Sequence, residues 1–291
     1  MNIIFQINGG IGKCILSTSM LPGIKSIYPN SQLIVMSGYP EVFLNNTLVD
    51  RSFAFGQAQY FYQDFIENKE FRVFAHDPYL QTEHLMQNEH LSHTWSRMFG
   101  LPIPEDIYPQ LFLTDREKQF FSQKFISDKP ILLLQTNGGA MQQELKYSWA
   151  RDIPFDIAQL IVKNYSEQYH IFQVTRPDSQ KLEGVEVIDR PLSNMELFAI
   201  LAEAQKRVLI DSCLQHAAAA FKLPSTVLWI GTSPNVFGYN IHKNIIANPP
   251  NNNLKLIDSY MFDYALDGIL HECPYIDSVE MFNMDDIFNN I

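Results

Sequence analysis

The chain has 291 residues, a length that suits two domains of ordinary size better than one core. Its 46% hydrophobic and 18% charged residues are those of a globular protein, and no window approaches the ~18 uninterrupted apolar residues of a membrane-crossing helix. A formal net charge of −11 argues against general nucleic-acid binding, which needs Lys and Arg to neutralise phosphates. Cys14, Cys213 and Cys273 are too scattered for a disulfide framework or a CxxC zinc site, so reduced thiols and no metal are expected. Met1 to Ile7 carries no basic leader, and the expected location is the cytoplasm.

In chain order, Asn2 to Ile7 reads as a buried strand followed at once by Asn8-Gly9-Gly10-Ile11-Gly12. A helical pattern runs through Ile15, Met20 and Ile24 to Tyr28, where Pro29-Asn30 stops it, and Gln32 to Met36 is the next apolar run. Strand, Gly-rich turn, helix, strand is one βαβ unit, which implies a parallel sheet. Arg72 to Ala75 reads as a further strand, and Glu83 to Phe99 has helical spacing up to Gly100-Leu101-Pro102. Thr114 with Glu117 predicts a capping box opening a helix to Ile126. Ser127-Asp128-Lys129-Pro130 is a linker, which divides the chain into domains 1–127 and 128–291.

The pattern then restarts: strand Ile131 to Gln135, turn Asn137-Gly138-Gly139, helix Ile153 to Tyr165, strand His170 to Thr175. Helix Met195 to Ala204, strand Arg207 to Ile210, helix Leu214 to Phe221 and strand Ser225 to Ile230 follow, with a closing helix at Met284 to Ile291. Two α/β halves, each opening on a strand and a Gly-containing turn, predict two similar folds facing one another.

Two segments carry the chemistry. Gly9, Gly10 and Gly12 sit at the carboxyl end of a first strand, where open α/β sheets bind ligands and the backbone must come close. The run is neither GxGxxG nor a Walker loop, and its plain alternative is a tight turn into a helix. The second segment is Asp211-Ser212-Cys213-Leu214-Gln215-His216 followed by Ala217 to Ala220. Free N–H groups at the start of that small-residue helix suit a pyrophosphate, and His216 on its first turn would meet a phosphate. Asp211 or Ser212 as an ordinary helix cap is the structural alternative.

These residues resemble those of glycosyltransferase family 9, the ADP-heptose lipopolysaccharide heptosyltransferases. The resemblance rests on Asn194 to Ala204, Asp211-Ser212 with His216 and the alanines, Pro224, and Gly231-Thr232-Ser233-Pro234. Gly9 to Gly12, Tyr28 to Leu33, Leu44 to Asp50, Lys146 and Trp149 extend it over roughly residues 1 to 240. It implies a GT-B fold, two Rossmann-like domains facing one another across a cleft, with the acceptor on the N-terminal domain. It further implies a metal-independent glycosyltransferase that uses a nucleotide-sugar donor, with an ADP-sugar favoured. Thr136, Lys146, Asp211, Ser212 and His216 would contact the donor, with Thr232 and Ser233 close by. The acceptor would be a glycan, a lipid-linked or another hydroxyl.

The chain departs from the family at Gly12-Lys13, where the family has Gly-Asp with the Asp as base, and at Cys213-Leu214 in place of Gly-Pro. Either the base lies elsewhere, or the acceptor differs, or catalysis is lost. Lys13 and His84 are the catalytic candidates; His76-Asp77, His90 and His93 are further ones, against the alternative of a polar helix face. The rival functions are a catalytically silent nucleotide-sugar-binding module and a transferase acting on a protein or modified nucleobase. Residues 1 to 127 carry 9 Lys+Arg against 12 Asp+Glu, so no basic patch for an anionic lipid is visible there.

Overall fold

The computed structural model describes residues 1–103, 107–138, 149–177, 179–188, 190, 192–249, 265–266, 269–270, 273, 275 and 277–291. Two parallel sheets organise them. The first is built by β1 (Asn2–Ile7), α1 (Ile11–Ser17), α2 (Leu21–Ile27), β2 (Gln32–Ser37), β3 (Arg51–Ala54), α3 (Phe61–Phe65) and β4 (Phe71–Phe74). Its four strands lie in the order β3-β2-β1-β4. The short helices α4 (Thr82–Leu85) and α5 (Leu91–Phe99) and then α6 (Asp115–Ser122) follow.

The second half runs β5 (Ile131–Gln135), α7 (Phe155–Tyr165), β6 (His170–Val174), β7 (Glu186–Ile188), α8 (Asn194–Glu203), β8 (Lys206–Ile210), α9 (Cys213–Ala220) and β9 (Thr226–Trp229). After these come α10 (Pro234–Phe237), β10 (Lys243–Ile246), the two-residue pair β11 (Ala265–Leu266) and β12 (Ile269–Leu270), and α11 (Met284–Phe288). The six long-range strands pair in parallel in the order β10-β9-β8-β5-β6-β7. Counting from β5, that is 3-2-1-4-5-6 in spatial pattern, the doubly wound order whose crevice lies where the strand order reverses, here beside β5. The first sheet shows the same kind of reversal, between β1 and β4.

Strand periodicity explains how both faces of the second sheet are covered. Leu133, Leu209, Val227 and Trp229 face a core shared with α5, α8 and α9 and continuous with Ile3, Phe5 and Ile7 of β1. Leu132, Leu134, Val208, Ile210 and Leu228 point the other way, into a core closed by α7 and the C-terminal Ile287. Neighbouring residues of one strand thus serve opposite faces, which requires the near-continuous apolar runs seen in the sequence. The two halves are also pinned by Lys124, just beyond α6, whose Nζ is 2.8 Å from Glu196 of α8.

Several expectations shift on contact with the structure. The helix expected from Ile15 to Tyr28 is two helices joined by a 3-10 turn at Thr18–Met20. Pro22 has no N–H to give to Thr18, and the Ser17, Thr18 and Ser19 hydroxyls donate back to carbonyls three residues earlier. The helix expected from Glu83 to Phe99 is broken between α4 and α5. Gln87 adopts φ 54°, and the His90 ring accepts the Ser92 N–H at 3.2 Å to cap α5 afresh. The capping box of α6 forms as the spacing required, Thr114 and Glu117 bonding reciprocally. The three cysteines are free thiols. No helix among the described residues is long and apolar enough to cross a membrane.

Candidate functional site

The carboxyl ends of the two sheets meet around a cleft of about 520 Å³, within the ~300–1,000 Å³ span of small-molecule sites. Gly9, Gly10, Gly12 and Lys13 line one wall, with Tyr39, Asp77 and Tyr79 from the same half. Asp211, Ser212, Cys213 and His216 line the other, with Arg151 and Phe237. The glycines are there for backbone reasons. Gly9 has φ +115°, and a Cβ on it would lie 2.9 Å from Cδ of Lys13. A Cβ on Gly12 would already touch Cα of Cys213 and Cδ2 of His216, each at 3.4 Å. The N-termini of α1 and α9 therefore approach almost backbone to backbone, which the alanines of α9 also permit.

Ser212 stands at the N-cap position just before α9, but its hydroxyl does not cap the helix. That hydroxyl instead accepts from Gln135 Nε2 at 2.9 Å, tying the end of β8 to the end of β5. The side-chain cap by Ser212, the structural alternative in the sequence reading, is thus not made, because the hydroxyl bonds between strands. Asp211 is buried, with Oδ2 3.9 Å from Arg151 Nε. Across the cleft, Lys13 is ion-paired with Asp77, and its Nζ sits 4.9 Å from the Tyr79 ring centre. Each wall therefore carries one acid and one base side by side.

His216 is 6% exposed, and its Nδ1 lies 2.8 Å from the Tyr239 hydroxyl. Burial pushes its pKa down to about 3, helped by His90, His242 and Arg151, so the ring is neutral at pH 7 in this state. Burial likewise raises the Cys213 thiol, against a hydrogen bond with Ser212. That thiol is not poised as a nucleophile.

The other expected residues fall elsewhere. His84 is 1% exposed, packed against Tyr79 and Phe237 with ring centres 4.8 and 5.8 Å away, and burial lowers its pKa to about 4. Thr136 is buried at the end of β5, where its hydroxyl accepts from Gln173 Nε2 at 3.0 Å. Thr232 and Ser233 are buried as well, and the Ser233 hydroxyl caps α10 by accepting the Asn235 N–H. None of these four is among the cleft-lining residues. His76 is exposed and also outside the lining, while His90 and His93 border a separate cleft beyond Tyr239. Lys146 lies outside the described residues. Tyr39, Tyr79, Arg151 and Phe237 went unread in the sequence. Arg151 alone had a local signal, two positions after Trp149.

No protein-family model matches the chain, and no curated protein matches it. Solved structures do. The glycosyltransferase family 9 protein of Veillonella parvula superposes with a TM-score of 0.67 at 12% identity, over 99% of this chain and 95% of that one. The E. coli ADP-heptose lipopolysaccharide heptosyltransferase II gives 0.60 at 14% identity, over 84% and 90%. The E. coli heptosyltransferase WaaC, solved with ADP, gives 0.57 at 12%, over 85% and 94%. The chain shares the fold of these glycosyltransferases.

Proposed function

We propose that this protein is a GT-B glycosyltransferase that binds a nucleotide diphosphate sugar in the cleft and transfers the sugar to a hydroxyl acceptor. The observation that carries the reading is the cleft itself. The two Gly- and Ser-containing turns at the carboxyl ends of two parallel sheets close on one space, in a fold shared with heptosyltransferases. The donor lies on the Asp211–His216 wall, its diphosphate against the uncapped N-terminus of α9 and Arg151. Those N–H groups and that guanidinium stabilise the departing diphosphate without a metal ion. The acceptor enters from the Gly9–Lys13 wall. An ADP-sugar is the favoured donor, because the structural neighbours include proteins solved with ADP or named for ADP-heptose.

His216 enters as a neutral hydrogen-bonding group, since burial keeps it uncharged until a phosphate arrives. Thr136, Thr232 and Ser233 are buried in the half that carries Asp211 and His216 and do not line the cleft. A second reading, a silent nucleotide-sugar-binding module, is favoured by Lys13 standing where the resembling enzymes have their acid. The test is turnover of a panel of nucleotide-sugars by the purified protein, followed as nucleoside diphosphate release. Release with one base and sugar preferred supports the transferase. Binding without release supports the silent module, and neither binding nor release refutes both.

A further inference from the structure

Transfer to a hydroxyl requires a group that takes the acceptor's proton. The cleft offers few. Lys13 Nζ is engaged as a donor in its ion pair with Asp77. His84 is sealed among rings, and His76 lies outside the cleft lining. Among the described lining residues only Asp77 and Asp211 carry carboxylates. Asp211 is buried beside Arg151 on the wall assigned to the donor, with a side chain 9% exposed. The side chain of Asp77 is 45% exposed and stands on the opposite wall.

We infer that Asp77 is the general base of the transfer proposed above, and that Lys13 is the positioning residue that holds its carboxylate in the cleft. The inference rests on the transferase reading. Asp77 follows β4, and the strand order of the first sheet reverses between β1 and β4. The chain thus brings residue 77 beside residue 13 although the two are 64 positions apart. The carboxylate is oriented twice: Oδ1 accepts the Tyr79 N–H at 3.0 Å, and Oδ2 accepts from Lys13 Nζ. Of about four lone-pair directions, two remain for an acceptor hydroxyl. Lys13 is itself fixed, its side chain 11% exposed and its ammonium over the Tyr79 ring.

The step balances without a further reactant. The acceptor O–H proton passes to Asp77 as the acceptor oxygen forms its bond to the anomeric carbon. The bond from that carbon to the phosphate oxygen breaks, and its electron pair leaves with the nucleoside diphosphate. Asp77 then returns its proton to solvent. The acid that the resembling family carries on the first loop is supplied here from the far side of the same crevice, and the loop position holds its counter-ion.

The experiment compares wild type with Asp77→Asn, Asp77→Ala and Lys13→Met, using ADP-glucose and ADP-heptose with water in the acceptor's place. Asn keeps the acceptor for the Tyr79 N–H, so loss of turnover there is not loss of the turn. Asp77→Asn is expected to lower kcat by roughly 10²–10⁴ while ADP affinity stays within about twofold. Formate is expected to restore part of the rate in Asp77→Ala and to leave wild type unchanged, which a structural role would not produce. Lys13→Met is expected to cost less, and to cost nothing further in an Asp77→Asn background. Turnover by Asp77→Asn within about threefold of wild type, or no rescue by formate, would overturn the inference. A wild type that releases ADP from neither donor would instead refute the ADP-sugar transferase reading on which it rests.

Discussion

Mild acid is expected to pry the two sheets apart. Four histidines sit at their junction: His84 and His90 from the first half, His216 and His242 from the second. The Tyr239 ring lies between three of them, with centres 5.3, 5.6 and 5.9 Å from His90, His216 and His242. Burial is the first cause in every case, lowering His84, His90 and His242 to about 4 and His216 to about 3, from 6.5. His90 is further lowered by His93, and His216 by His90, His242 and Arg151, while Asp77 opposes the fall at His84. The folded values are depressed, so the neutral rings favour the folded state fully above pH 6.5 and less and less as pH falls toward 4. A tenfold change in proton affinity corresponds to about 1.4 kcal/mol, so a histidine held near 4 accounts for roughly 3 kcal/mol at most. Together the four contribute several kcal/mol between pH 6.5 and 5, comparable with the ~5–15 kcal/mol that holds a domain folded. The assay is the melting temperature from about pH 8 to about pH 4.5, with hydrogen exchange on α5 and α9. A steep fall below pH 6.5, blunted in a His90→Gln or His242→Gln variant, is the expected result. A flat melting temperature down to pH 5, or imidazole titrations near 6.5 in the folded protein, would refute the reasoning.

Other variants probe the site more locally. His216→Ala is expected to weaken ADP binding by ~1–3 kcal/mol, read by calorimetry, and unchanged affinity would return His216 to a purely structural role. Gly9→Ala is expected to lower the melting temperature, because φ +115° strains any side chain and the new methyl would strike Lys13. Lys13→Asp, which places there the acid that the resembling enzymes carry, is expected to depress turnover, since it sets a second carboxylate against Asp77. Glu196→Gln should destabilise the fold by ~1–3 kcal/mol through its contacts with Lys124, Ser193 and Arg190. The Lys124 contact, with the Ser193 backbone next, holds Glu196 at about 2 against 4.5, so its contribution is intact above pH 4.5 and lost toward pH 2.

The central strands were legible because both faces of each are buried and the residues read as unbroken apolar runs. The edge strands β3, β7 and β10 were not, since Arg51, Glu186 and Lys243 leave half-exposed segments with no such run. Likewise the α4–α5 break hid behind intact helical spacing, because an imidazole rather than a Ser or Asp supplies the new cap. Gly9 to Gly12 and Asp211 to His216 could be read because strand, turn and helix start are local patterns. Tyr39, Tyr79 and Phe237 could not, as their place depends on how the two sheets close. His84 stood out as part of a histidine-rich stretch, but only packing reveals that aromatic rings enclose it.

Binding of a nucleoside diphosphate in the cleft is the central requirement of the proposed function. Gly10 offers a clean control, because a Cβ there meets nothing within 4 Å and its φ of −74° suits any residue. A tyrosine at that position should fill the cleft without disturbing the fold. Calorimetric titration of wild type and Gly10→Tyr with ADP is the most direct measurement. Saturable one-to-one binding by wild type is expected, with its loss in a Gly10→Tyr protein that melts at the same temperature. Equal binding by both, or none by wild type, would contradict the proposed function.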